Sequence, residues 1–68
     1  MKEINFVIWK EDKYYVARCL NAQISSFGET LDETVKNIKE AAELYYETEN
    51  IEFQKIDNIY LGKDYINA

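Results

Sequence analysis

Residues 26–47 read S-F-G-E-T-L-D-E-T-V-K-N-I-K-E-A-A-E-L-Y-Y-E. One uninterrupted run thus holds a strand ending at a glycine, a capped helix start and an amphipathic helix. Thr30 stands at the N-cap and Glu33 follows three residues later, the spacing of a reciprocal capping box. Such a pair satisfies backbone N–H groups that the first helical turn leaves without partners. Glu29, Asp32 and Glu33 also place negative charge at the positive end of the helix dipole. From about Leu31 to Thr48, helical periodicity sets Leu31, Val35, Ile38, Ala42 and Tyr45 on one stripe, flanked by Thr34 and Ala41. Asp32, Glu33, Lys36, Lys39, Glu40, Glu43 and Glu47 fall on the other face, with Asp32–Lys36, Lys36–Glu40 and Lys39–Glu43 as i,i+4 pairs. Asn50 reads as the helix stop.

Ahead of this run lie two stretches dense in β-branched and aromatic residues, at 3–10 and 14–20 (Y-Y-V-A-R-C-L). The polar break Glu11-Asp12-Lys13 between them predicts an antiparallel hairpin. Residues 23–27 form a third, shorter strand that ends at Gly28. There a glycine supplies either a positive φ or room for a close approach. After the helix, Asp57-Asn58 is a turn signal, and residues 59–66 read as a fourth strand, bulged or broken at Gly62. The expectation is a single α+β domain over 1–68 of order β-β-β-α-β, an antiparallel sheet with one helix packed on one face.

An antiparallel sheet with one wet face alternates apolar and polar residues. The first two strands do not. Ile4, Phe6 and Ile8 oppose Val7 and Trp9 in parity, and Tyr14, Val16 and Leu20 oppose Tyr15, Ala17 and Cys19. One helix covers one face, so the pattern predicts that another chain covers the second. Size points the same way. A chain of 68 residues buries only about 60% of its unfolded surface, and small domains compensate with disulfides, metals or association. With one cysteine and no histidine, neither an intramolecular disulfide nor a common zinc ligand set can form, which leaves association.

The net charge is −5, and the longest basic feature is a pair of lysines within an acid-rich helix. Nucleic-acid binding requires a basic patch, so none is expected, although the aromatic content alone would suit base stacking. An acidic surface favours a basic protein partner. No run approaches the ~18 apolar residues of a membrane span, and a lone thiol without an export signal predicts a cytoplasmic protein.

The inventory also argues against catalysis. No histidine is available as a base, Cys19 lies in a strand as a small core residue, and Gly28 and Gly62 are too far apart for a phosphate loop. The carboxylates sit at strand ends, in a turn or on the solvent side of the helix, where they do not converge on a divalent ion. No catalytic residue, metal or cofactor is expected. Leu44 projects away from the helix stripe, beside Glu43, Glu47 and Glu49, which oppose the dipole at the helix's negative end. That combination marks a contact site.

The order of Y-Y-V-A-R-C-L, I-S-S-F-G-E-T-L-D-E-T and V-K-N-I-K-E-A-A-E-L-Y resembles the HicB-like antitoxin domain, from about Phe6 through Glu47. The most specific pieces are Tyr15-Val16-Ala17 with Cys19, Gly28-Glu29-Thr30 with Glu33, and residues 37–45. The resemblance implies a partial ribonuclease-H-like fold without the nuclease carboxylates. It implies a role in toxin–antitoxin pairs, in which HicB-like proteins mask the active site of HicA, a small basic ribonuclease. The chain departs from the family pattern in having Asn21-Ala22 for a Pro- and Gly-containing connector and Thr34 where alanine is usual. It also holds no helix-turn-helix or ribbon-helix-helix module, so operon repression by direct DNA binding is not implied.

The expectation is therefore a non-catalytic antitoxin-type domain that self-associates through its sheet as a dimer or larger assembly and binds a HicA-type toxin. Trp9, Tyr14, Glu40, Glu43, Leu44 and Glu47 are the candidate contact residues. The alternative is an orphan self-associating domain with no toxin.

Overall fold

A computed structural model of the chain describes residues 2–49 and 52–68. It contains β1 (Phe6–Glu11), β2 (Tyr14–Cys19), β3 (Ser25–Gly28) and α1 (Leu31–Glu49). The expected helix stop at Asn50 lies outside the described residues. The three strands form one antiparallel sheet in the order β1-β2-β3. The hairpin predicted at Glu11-Asp12-Lys13 closes with Glu11 opposite Tyr14, so only Asp12 and Lys13 form the loop. Asp12 carries the turn with φ of 58°, a left-handed conformation that a short polar side chain tolerates better than most.

Register assigns the two faces. Phe6 lies opposite Cys19 and Ile8 opposite Ala17, while Ala17 meets Ser26 and Tyr15 meets Gly28 on β3. This face receives α1. Ala17, Cys19, Ile24, Ile38 and Ala42 form the buried core, with Ile4, Phe6, Ile8, Ala22, Ala41, Tyr45 and Phe53 packed around it. Cys19 is a buried free thiol in that core, as its strand position predicts.

The helix docks slightly rotated from the expected stripe. Thr34 is fully buried, whereas Leu31 is exposed. Gly28 explains the shift. Its φ is not positive; instead, a Cβ there would lie 2.7 Å from Thr34 Oγ1 and 3.0 Å from the Thr34 backbone nitrogen. The missing side chain lets the first turn press onto β3 through Thr34, and Leu31 is turned outward. The Thr34 hydroxyl is satisfied by donating to the Thr30 carbonyl at 2.7 Å.

The cap forms with one change of partner. Glu33 N–H donates to Thr30 Oγ1 at 3.1 Å, as an N-cap requires. The Glu33 carboxylate accepts from the Glu29 N–H at 2.8 Å, one residue upstream of the reciprocal bond expected. None of the three i,i+4 charge pairs on α1 closes to ion-pair distance. Among the described residues the one salt bridge is Lys55–Asp57, exposed at 3.8 Å.

The fourth strand predicted over residues 59–66 is absent, and residues 52–68 hold no regular secondary structure. The segment is tied down only at its start. Gln54 N–H donates to the Asn21 carbonyl at 3.0 Å, and Asn21 Nδ2 donates to the Gln54 carbonyl at 2.6 Å. Phe53 packs edge-on against Tyr46, with ring centroids 5.7 Å apart. Past Ile56 every residue is exposed. No backbone bond joins the segment beyond Gln54 to the sheet, so residues 59–66 lack the partner that completes a strand, and the turn expected at Asp57-Asn58 does not form.

Candidate protein-binding surface

Alternation along the strands puts Val7, Trp9 and Glu11 of β1, Tyr14, Val16 and Arg18 of β2, and Ser25 and Phe27 of β3 on the face opposite α1. Trp9 stands directly opposite Val16, and Val16 opposite Phe27, so the three make an apolar row across the sheet. Tyr14 meets the Phe27 ring edge-on at 6.0 Å. Trp9, Tyr14 and Phe27 are all exposed, Phe27 by 63%. Val7 and Val16 are half-buried among them. Glu11, Asp12, Tyr14, Val16, Ser25 and Phe27 line a shallow depression on this face. Its walls are aromatic at one side and carboxylate at the turn. The Trp9 indole N–H points along its own strand to Glu11 Oε2 at 3.4 Å.

The candidate residues divide between two surfaces. Trp9 and Tyr14 come together on this open face, as diagonal neighbours across the β1–β2 ladder. Glu40, Glu43, Leu44 and Glu47 are exposed on the outer side of α1, with the sheet between them and Trp9. Leu44, 61% exposed, lines a groove with Gln23, Ile24, Ser25, Ala41 and Thr48. Ser25 borders that groove and the open-face depression alike. Ser25 thus joins the two depressions across the β3 edge, and Glu40, Glu43 and Glu47 lie beside Leu44 on the helix.

Leu44 lies in the penultimate turn of α1, where a hydroxyl bonds back onto the helix. Thr48 Oγ1 donates to the Leu44 carbonyl at 2.7 Å, and the last turn contains no basic residue. The carboxylates of Glu43, Glu47 and Glu49 thus stand at the negative end of the dipole without a helical cation to offset them.

Two contributors escaped the sequence reading. Phe27 looked like the end of a short strand, although its parity opposite Ser26 already placed it away from Gly28 and the helix. Asn37 was one more polar residue on α1; its Nδ2 donates to the Phe27 carbonyl at 2.8 Å and ties the helix to the outer edge of β3. No periodicity signals that bond.

Among the described residues no group of three or more histidine, cysteine or acidic side chains is gathered as a metal site, and no helix is long and apolar enough to cross a membrane. No protein-family model, curated protein or solved structure matches this chain.

Proposed function

We propose that this chain is a non-catalytic, HicB-like antitoxin-type binding domain that neutralises a small basic HicA-type ribonuclease by masking its active site. The observation that carries the reading is the open sheet face, where Trp9, Tyr14 and Phe27 are exposed side by side with half-buried Val7 and Val16. A contiguous apolar patch with aromatic anchors is the composition of an interface core. The net charge of −5 and the carboxylates of Glu40, Glu43 and Glu47 around Leu44 complement a basic partner. The order of three antiparallel strands and a capped helix agrees with a partial ribonuclease-H-like domain, the fold implied by the resemblance of residues 6–47.

Co-expression with a small basic HicA-type ribonuclease, sought first among proteins encoded beside this chain, tests the reading. Growth arrest by that protein is relieved by this chain, and relief is lost in Trp9→Asp and Phe27→Asp variants that keep their far-UV circular dichroism. A neighbour that neither binds this chain nor is inhibited by it would remove the antitoxin assignment.

A further inference from the structure

The sheet has two outer edges, and they differ. Leu20 N–H donates to the Asn5 carbonyl at 2.7 Å, which fixes the phase of the β1–β2 ladder. Because bonded pairs alternate, Val7, Trp9 and Glu11 direct their backbone groups toward β2, and Phe6, Ile8 and Lys10 direct theirs outward. Among the described residues nothing in the backbone network meets those outward groups. On β3 the outward residues are Ser25 and Phe27, and one of their two carbonyls, that of Phe27, is already taken by Asn37. The helix leans the same way, packing over β3 and β2 and leaving Phe6 and Ile8 half-exposed on β1.

The same chain holds a segment with complementary needs. Residues 59–66 read I-Y-L-G-K-D-Y-I, and Tyr60, Leu61, Tyr65 and Ile66 are between 85% and 92% exposed. So much unshielded apolar surface in so short a stretch is rare on a protein that remains alone. The radius of gyration is 13.4 Å, against about 11 Å for a compact chain of this length, as an arm standing off the body requires.

We propose that residues 59–66 form a fourth strand on the β1 edge of a second copy of this chain, and that two copies exchange arms reciprocally. The arm supplies β-branched and aromatic residues, and the edge supplies the unpaired N–H and C=O groups of Phe6, Ile8 and Lys10. Each arm carries two tyrosines, of ~150–250 Å² buriable surface apiece, with three aliphatic side chains. A reciprocal pair brings the buried area to the order of the ~1,200–2,000 Å² of a specific interface. The self-association expected from the two-sided apolar pattern would thus run through a sheet edge and leave Trp9, Tyr14 and Phe27 free. The inference stands apart from the toxin reading.

Sedimentation equilibrium of the full chain at micromolar concentration gives a dimer; a monomer overturns the proposal, including one with its arm folded on its own β1. The double variant Leu61→Asp, Tyr65→Asp alters side chains exposed in the isolated chain. It keeps its circular dichroism, and its dimer dissociation constant rises at least ~10-fold; an unchanged constant overturns the role of the arm. Amide hydrogen exchange locates the contact. The Phe6, Ile8 and Lys10 amides exchange at least ~10-fold more slowly in the dimer than in the double variant, and equal rates overturn the placement on β1.

Discussion

Asn21 and Gln54 are joined twice, once through the Asn21 side-chain amide and once through its backbone carbonyl. Asn21 is buried, and its Oδ1 also accepts the Asn5 N–H at 2.6 Å while its Nδ2 reaches Asn5 Oδ1 at 3.0 Å. One side chain thus pins the entry to β1 and the start of the C-terminal segment.

Asn21→Ala leaves the Asn5 N–H and the Gln54 carbonyl without their side-chain partner. The expected loss is ~2–3 kcal/mol of unfolding free energy in urea titration, because buried donors and acceptors lose their compensation for desolvation. Phe53 loses its hold on Tyr46 in the same variant, so the amides near Gln54 exchange faster than the remainder of the core.

Gly28→Ala places a methyl group 2.7 Å from Thr34 Oγ1 and 2.9 Å from Glu33 Oε1. It should destabilise the fold by ~1–3 kcal/mol through overpacking. Removing the hydroxyl with Thr34→Ala relieves part of the clash, so a double-mutant cycle shows a favourable coupling of ~0.5–2 kcal/mol between the two substitutions. Strictly additive losses would mean that the helix start does not bear on β3 at this point.

Thr30→Ala removes the acceptor of the Glu33 N–H and is expected to cost ~0.5–2 kcal/mol in thermal or urea unfolding. Thr30→Ser retains the oxygen and should fall within ~0.5 kcal/mol of the parent.

Glu40→Lys, Glu43→Lys and Glu47→Lys combined reverse the charge beside Leu44 and leave the core untouched. With a basic partner, the association rate falls and its dependence on ionic strength weakens, while dissociation changes less. Stopped-flow measurement at two salt concentrations reads this directly. A rate that stays the same would assign the carboxylates to solvation alone.

Periodicity made the helix and the first two strands legible, because each repeats one physical requirement along the chain. The two-sided apolar pattern in β1 and β2 placed apolar residues on both faces of the sheet, and Val7, Trp9, Tyr14 and Val16 stand on the face away from α1. Features set by single contacts were less accessible. Thr34 displaced Leu31 from the buried stripe because Gly28 allows close approach, which a wheel built from spacing alone does not register. Glu40, Glu43 and Glu47 lie on the outer side of the helix that covers Trp9's sheet, and Leu44 borders β3 at its edge, so none of the four joins Trp9 on the open face. Residues 59–66 have the composition of a strand, but a strand is completed by the edge it meets, and composition does not name that edge.

The bond from Asn37 to the Phe27 carbonyl has a consequence for how copies of this chain can add together. A sheet with two receptive margins can grow without limit into fibres. Here the outward Phe27 carbonyl is held by a side-chain amide, so a strand arriving at β3 finds one acceptor fewer than a strand arriving at β1. Addition is biased toward β1. Losing that amide, as in Asn37→Ala, would free the carbonyl, and the second margin would become more receptive without any change to the core.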